Sequence, residues 1–371
     1  MKIEKITPFL VDGFLLVRVY TDEGIVGNGE AGLWAHHKTV YETILELSEY
    51  YVGKDPARID HHFQVVSRNS HFMGAAISAA MSAIDVALWD ILGKSVNLPV
   101  YQLLGGKCRD KVKVFNNVGG DTLAERAESA IQNVEEGYIS LRTTPFFSNW
   151  EKGTSTQAIT TAVEIVRTIR EAVGNDIDLG LEIHRNLTPD EAIILAGELV
   201  PFHILYYEDP IAPQSIEALE YVAQHVHIPI ATGERFYNIQ QFKELIDKKT
   251  VSLIRPDVSL AGGITHCKKI AAVAEASFVG IFPHLMGSPV NLAAFVQLDA
   301  AIPNFFAHEC HTGADAFNEI VDHPLERDGG YVIVPDRPGI GLEINESKLG
   351  KFPYQSRQIT GSFHADGSVA H

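Results

Sequence analysis

The chain has 371 residues, more than one ordinary domain holds, and its 46% hydrophobic and 21% charged residues suit a soluble protein with a large core. A formal charge of −17 excludes nucleic acid and anionic membrane as natural partners, and it means that an anionic substrate needs a local cation in order to bind. The N-terminus, Met1-Lys2-Ile3-Glu4-Lys5, lacks the apolar core of a signal peptide, and the three cysteines (Cys108, Cys267, Cys310) form no CxxC pair. Reduced thiols in a cytoplasmic protein are therefore expected. Cys310 lies between Glu309 and His311, but no second Cys/His cluster completes a zinc site.

The first hundred residues read as strands followed by helices. Phe14 to Tyr20 is β-prone, Asp22-Glu23-Gly24 is a turn, and Ile25 to Glu30 returns as the hairpin partner. Helical apolar spacing follows over Thr39 to Tyr51 and Ala75 to Val96. Strands then helices, without alternation, predict a small α+β unit over residues 1–111.

From residue 112 to 321 the texture becomes strand-then-helix repetition. Two strands are expected at Val112 to Phe115 and Ile139 to Arg142. Six further apolar runs end at Glu182, Glu208, Glu234, Asp257, His284 and Glu309, spaced 23 to 27 residues apart. Most gaps hold a helical pattern: Pro189 to Glu198, Ser215 to His225, Ile239 to Asp247 and Thr265 to Ala276. A βα unit repeated this often closes most naturally into a parallel barrel, and no GxGxxG follows the first strand to favour a doubly wound open sheet. The stretch 279–307 is the most apolar. It is broken by His284, Gly287, Pro289, Asn291, Asp299 and Pro303, so it reads as buried strand and helix rather than a span of about 20 apolar residues. The tail, 322–371, is turn-rich and is expected to pack back on the N-terminal unit.

Strand C-termini form the active-site rim of a βα barrel, so this spacing delivers five acids and a histidine to one face. A single acid there needs no explanation beyond the start of solvent. Three successive strands ending in Glu182, Glu208 and Glu234 would crowd three like charges, which repel at about 4 Å unless a cation bridges them. Hard oxygen donors without soft ligands favour Mg²⁺. Asp257 beside His284 is the pairing that makes an imidazole a general base. His184, two residues past Glu182, is expected on the same face by strand alternation, giving a second imidazole for acid–base work. His61, His62, His203, His225 and His227 read as surface residues, while His308 and His311 flank Glu309.

Taken in order, Leu181-Glu-Ile-His184, Tyr207-Glu-Asp-Pro210, Thr232-Gly-Glu-Arg235, Arg255-Pro-Asp257 with Ala261-Gly-Gly263, and Pro283-His284 resemble the enolase superfamily. Ser82 to Lys94, followed by Pro99 and Leu103-Leu-Gly-Gly106, resembles its mandelate racemase group, and the whole is most similar to the acid-sugar dehydratases. The resemblance implies an N-terminal α+β capping domain on a modified (β/α)7β TIM-type barrel. It implies a Mg²⁺ held by Glu182, Glu208 and Glu234, with His284 and Asp257 as the base, His184 as the acid on the leaving hydroxyl, and Glu309 as a partner to the enolate oxygen. It also implies a sugar-acid substrate and a homo-oligomer, and it places Trp34, His36 and the His71-Phe72-Met73 loop in the specificity-giving cap.

Two departures matter. Relatives usually carry Asp where Glu182 stands, one methylene shorter. Racemases and epimerases of the group carry a basic lysine on the second strand, where Arg142 stands here, a poor base and a good anion clamp. Dehydration of an aldonate or aldarate to a 2-keto-3-deoxy acid is therefore the leading expectation. An α-hydroxy-acid racemase or epimerase is the alternative within enzymes, and a non-catalytic relative is the alternative outside them.

Overall fold

The computed structural model describes residues 1–309 and 312–370; Cys310 and His311 lie outside the described residues. The chain opens with strands β1 (Ile3–Val11), β2 (Phe14–Thr21) and β3 (Val26–Ala31), paired in sequence order as an antiparallel sheet. Three helices cover it: α1 (His37–Tyr51), α2 (Ile59–Asn69) and α3 (Ala75–Ser95). The predicted hairpin and two of the helices stand where expected; β1 and α2 are additional. His62, expected on the surface, is buried in α2, where Tyr50 Oη lies 2.9 Å from Nδ1 and the Asp55 carbonyl 2.8 Å from Nε2.

Helix α3 is long and apolar enough to cross a membrane, but 72% of that apolar stretch is buried within the protein. Its faces are occupied on several sides: Ala79, Ala83, Ile84, Ala87 and Ile91 join the core beneath the β1–β3 sheet, and Val86 joins the core of the barrel. A short helix α4 (Val100–Leu103) leads out of this unit.

Eight parallel strands then close a barrel: β4 (Lys111–Asn117), β5 (Ser140–Thr143), β6 (Asp178–Glu182), β7 (Tyr206–Glu208), β8 (Ile230–Thr232), β9 (Leu253–Ile254), β10 (Gly280–Ile281) and β11 (His308–Glu309). Closure comes from β11, which pairs with β4 through His308↔Val114 and Glu309↔Phe115, and from a bridge between Ile281 and Phe305. Seven helices fill the connections: α5 (Leu123–Glu135), α6 (Ser155–Val173), α7 (Pro189–Leu199), α8 (Ile216–His225), α9 (Ile239–Asp247), α10 (Gly263–Glu275) and α11 (Pro289–Ala301). This is the expected (β/α)7β arrangement. Phe115, Tyr206, Ala231, Leu253, Phe282 and Ala307 fill the barrel interior.

Local sequence starts most of these helices. Thr122, Thr154 and Thr188 each form a capping box with Glu125, Gln157 and Glu191, satisfying the orphan N–H groups of the first turn. Helix α10 is the exception, because its N-cap is Gly262, which has no side chain to offer. Helix α3 supplies the missing acceptors: Ser82 Oγ takes the Gly262 N–H at 2.8 Å, and Asp85 Oδ1 takes the Thr265 N–H at 3.1 Å. Gly263 has φ +72°, and a Cβ there would stand 2.2 Å from Asp85 Oδ1, so only glycine lets the two elements meet this closely.

The tail touches both units. Strands β12 (Val321–Asp322) and β15 (Glu343–Ile344) pair with each other, while β13 (Arg327–Asp328) and β14 (Tyr331–Ile333) form a hairpin added antiparallel to β4. Glu343 accepts from Asn28 Nδ2 at 2.9 Å, and Glu346, in the final helix α12 (Glu346–Leu349), is salt-bridged to Arg18 at 2.5 Å. It therefore packs back on the N-terminal unit as expected, and it also widens the barrel sheet.

Candidate active site

A cavity of about 850 Å³ opens at the C-terminal ends of the barrel strands, beneath the loop that follows β3. Its lining includes Glu182, His184, Glu234, Asp257, His284 and Glu309 from the barrel and Trp34 and His36 from the first unit. Glu208 stands just behind, fully buried. One carboxylate oxygen from each of Glu182, Glu208 and Glu234 lies within 4.8 Å of the others, a spacing one cation can bridge. All the donors are hard oxygens, so the set fits a divalent ion such as Mg²⁺.

The three acids are not left uncompensated, as the sequence alone suggested. Arg142 Nη1 lies 3.1 Å from both oxygens of Glu208, and Arg255 Nε lies 2.8 Å from its Oε1. Arg185 Nη1 bridges Asp209 Oδ2 and Glu234 Oε1 at 2.5 Å each. Five carboxylates (Glu182, Glu208, Asp209, Glu234, Glu309) thus share three guanidiniums, which leaves a negative excess for a divalent ion to offset. Burial and the neighbouring Glu208 push the Glu182 carboxyl well above the ordinary range. Asp209, likewise raised by burial and by Glu234, reaches about 6.

Arg142 corrects the anion-clamp expectation in one respect. Its guanidinium faces the cavity but is already engaged, by Glu208, by Glu309 Oε1 at 2.5 Å and by Asn117 Oδ1 at 3.0 Å. Glu309 is held on its other oxygen by Arg255 at 2.6 Å and by the Leu285 N–H at 3.2 Å. Arg142 and Arg255 therefore clamp the protein's own acids.

His284 and Asp257 meet as expected, with Nδ1 to Oδ2 at 2.9 Å. The opposite ring nitrogen, Nε2, faces Glu234 Oε2 at 3.8 Å. Burial alone would lower the His284 pKa, but Glu234 and Asp257 outweigh it and raise it to about 9. His184 reaches the cavity by a different route from the one predicted. Strand β6 ends at Glu182, and His184 and Arg185 take left-handed conformations, φ 54° and 67°. The turn is tied by the His184 N–H to Glu182 Oε1 at 2.6 Å, while His184 Nδ1 lies 3.3 Å from Thr144 Oγ1. Burial in the cleft, with the positive charges of Arg185 and Arg142 nearby, lowers the His184 pKa.

Trp34 and His36 line the mouth, and the tail residue Arg357 lies over the Trp34 ring. His71 is placed elsewhere: its loop is exposed, it is absent from the cavity wall, and the neighbouring Met73 lines a separate cavity with Phe63 and Tyr237. His308 also turns away, fully buried with Nδ1 2.9 Å from Asp299 Oδ2. Arg185, Asp209 and Arg255 were the site residues given no role from sequence. Asp209 and Arg255 sat inside quoted motifs, and their signal was a charge directly beside a strand-terminal acid or two residues before one.

Comparisons with known proteins agree with this geometry. Residues 123–348 match the family model described as enolase C-terminal domain-like, and residues 8–105 match the mandelate racemase / muconate lactonizing enzyme N-terminal domain. The chain is 37% identical over 389 residues to the D-galactonate dehydratase of Cronobacter sakazakii, covering 100% of both. Among solved structures, an enolase from Agrobacterium radiobacter, provisionally assigned as a galactarate dehydratase and containing sodium and L-malate, superposes with TM-score 0.93 at 31% identity, covering 100% of both chains. A provisionally assigned dehydratase from Mesorhizobium loti superposes with TM-score 0.90 at 33% identity, covering 95% of this chain and 98% of that one.

Proposed function

Since the chain belongs to the enolase superfamily, in its mandelate racemase / muconate lactonizing enzyme group, we propose that it is a Mg²⁺-dependent dehydratase of a sugar acid, an aldonate or aldarate. The observation that carries this reading is the pairing of one half-buried imidazole, His284, locked at Nδ1 by Asp257, with a second imidazole, His184, in the same cavity. Galactonate is the first acid to try, because a relative 37% identical over its whole length bears that activity in its name.

Glu182, Glu208 and Glu234 would hold the metal, which when bound supplies Lewis-acid stabilisation of the charge that develops on the substrate carboxylate. The remaining work falls to side chains. Asp257 accepts from His284 Nδ1–H and so presents Nε2 as the lone-pair face that takes the proton α to the carboxylate. His184 as imidazolium delivers its proton to the β-hydroxyl, which leaves as water. Burial, and then Arg185 and Arg142, disfavour that imidazolium, and an arriving anion would offset the two arginines. The enol left behind tautomerises to the 2-keto-3-deoxy acid. Glu309, fixed by Arg142 and Arg255, lines the cavity; to partner the enolate oxygen it would donate from a protonated carboxyl. Trp34 and His36 would read the substrate's distal hydroxyls.

Racemisation is the second reading, favoured by one observation: the lowered pKa of His184 keeps it neutral at rest, as a second base requires. The test incubates the protein with Mg²⁺ and a panel of aldonic and aldaric acids and detects 2-keto-3-deoxy products. Solvent deuterium in recovered substrate of inverted configuration, with no keto product, would replace dehydration by epimerisation. No Mg²⁺ binding at all would overturn the catalytic reading. A cytoplasmic location and a homo-oligomeric state belong to the same proposal, and light scattering of the purified protein tests the latter.

A further inference from the structure

The side of Asp257 turned away from His284 is as firmly held as the side facing it. Its Oδ1 accepts from the Ser259 N–H at 2.8 Å and from Ser259 Oγ–H at 2.6 Å. Ser259 Oγ in turn accepts from Asn291 Nδ2 at 3.2 Å. Asn291 lies in the first turn of α11, and its backbone N–H donates to Glu30 Oε2 at 3.2 Å. Glu30 also takes the Ser288 N–H at 2.9 Å and the Ser288 hydroxyl at 2.5 Å. The Gly32 N–H, two residues on, donates to the Ser259 carbonyl at 2.8 Å. All of Glu30, Ser259, Asp257, Ser288 and Asn291 are buried, so no bulk water competes for these bonds.

The path is also built tightly. A Cβ on Gly32 would stand 2.6 Å from Ser259 Oγ, and a Cβ on Gly287 would stand 2.6 Å from Asn291 Nδ2. Both glycines sit where any side chain would push a link of the path out of place. Asn291 donates both ways, its backbone N–H to Glu30 and its side-chain amide to Ser259, and the Ser259 hydroxyl and the His284 imidazole then converge on the two oxygens of Asp257.

We infer that Glu30 and Gly32 of the first unit are positioning residues for the barrel's His284 base, acting through Asn291, Ser259 and Asp257. Docking of the N-terminal unit thereby sets the angle of the imidazole. This rests on the proposed base role of His284, but the geometric half of it is testable without any substrate.

The experiment uses the full chain loaded with Mg²⁺ and follows the hydrogen-bonded imidazole N–H of His284 by proton NMR, assigned by its loss in His284→Asn. Ser259→Ala, Asn291→Ala, Gly32→Ala and Glu30→Gln are compared, each checked for its fold by circular dichroism. All four are expected to move or broaden the signal while the Mg²⁺ Kd stays within about twofold. On whichever acid proves to be turned over, kcat is expected to fall, by up to about 100-fold as misplaced groups do, with KM little changed. If Ser259→Ala moves the signal and neither Gly32→Ala nor Glu30→Gln does, the path ends inside the barrel and the inference is overturned. A signal indifferent to Ser259→Ala overturns it as well. If Glu30→Gln fails to fold, Gly32→Ala alone decides the link to the first unit. An acid panel with no product, combined with shifted imidazole signals, would defeat the proposed reaction and leave the positioning path standing.

Discussion

His284 is held between two carboxylates, with Asp257 Oδ2 2.9 Å from Nδ1 and Glu234 Oε2 3.8 Å from Nε2. One partner, Asp257, orients the ring of the proposed base; the other belongs to the three-acid cluster. The protonation of the base and the charge on the cluster are therefore coupled.

That coupling has a sign. Glu234 and Asp257 hold the His284 pKa near 9 against the opposing effect of burial. A divalent ion on Glu234 offsets the larger of the two attractions, so Mg²⁺ should lower the His284 pKa and free the base at neutral pH. Titrating the His284 ring by NMR with and without Mg²⁺ checks this; an unchanged pKa would separate Glu234 from the metal.

His284→Asn should lower turnover by about 10²–10⁴-fold, the range of a positioned acid or base, while Mg²⁺ still binds. Calorimetry for the metal and a keto-acid assay for turnover read the two halves independently. Retained turnover would remove His284 from the role.

Glu208→Gln tests the arginine lattice. It leaves Arg142 and Arg255 facing a neutral amide in a fully buried position. Breaking buried pairs of this kind costs about 3–5 kcal/mol. Urea unfolding without Mg²⁺ should show a loss of that order, and a loss under about 1 kcal/mol would mean that Glu309 alone satisfies both guanidiniums.

Glu182→Asp restores the residue usual among relatives, yet here it should weaken Mg²⁺ binding. The longer arm is what lets Glu182 Oε1 accept the His184 N–H at 2.6 Å while sharing the cluster with Glu208 and Glu234. Unaltered affinity and unaltered turnover in the aspartate variant would show that the extra methylene is idle.

Asp85 gives a stability prediction remote from the chemistry. Burial raises its carboxyl from 3.8 to about 7, and its Oδ2 has no hydrogen-bond partner among the described residues. A folded value above the unfolded one favours the protonated form. The contribution is therefore complete below pH 3.8 and disappears as pH rises through about 7, on the order of 4 kcal/mol at the extremes. Asp85→Asn, which keeps the acceptor for Thr265, should flatten the fall in unfolding free energy over that window. A parallel pH profile in the variant would assign the dependence to other groups.

The barrel was legible because its strands end in charge at an interval that leaves room for one helix, so Glu182, Glu208, Asp257, His284 and Glu309 could be placed without any contact known. Strand β1 and helix α2 were not anticipated; His62 of α2 was read as a surface residue because a polar ring inside a core depends on distant acceptors, here Tyr50 and Asp55. His184 reached the expected cavity through a left-handed turn, a backbone state that alternation along a strand does not encode. The commitment of Arg142 to Glu208 and Glu309 was hidden for a similar reason, since β5, β7 and β11 become neighbours in space only when the barrel closes. His71 was placed by likeness of loop position alone, and loops tolerate that poorly.

The first turns of α10 and α11 are completed by side chains from outside the barrel, Ser82 and Asp85 at one and Glu30 at the other. For engineering, this divides what can be exchanged from what cannot. A barrel expressed alone would expose two unfinished helix ends beside Asp257 and His284, and a graft of a relative's entire first unit would have to match three anchor points before it met any substrate. New acid selectivity is more economically sought by redrawing the stretch from Leu33 to His36, which borders the cavity and carries none of those anchors.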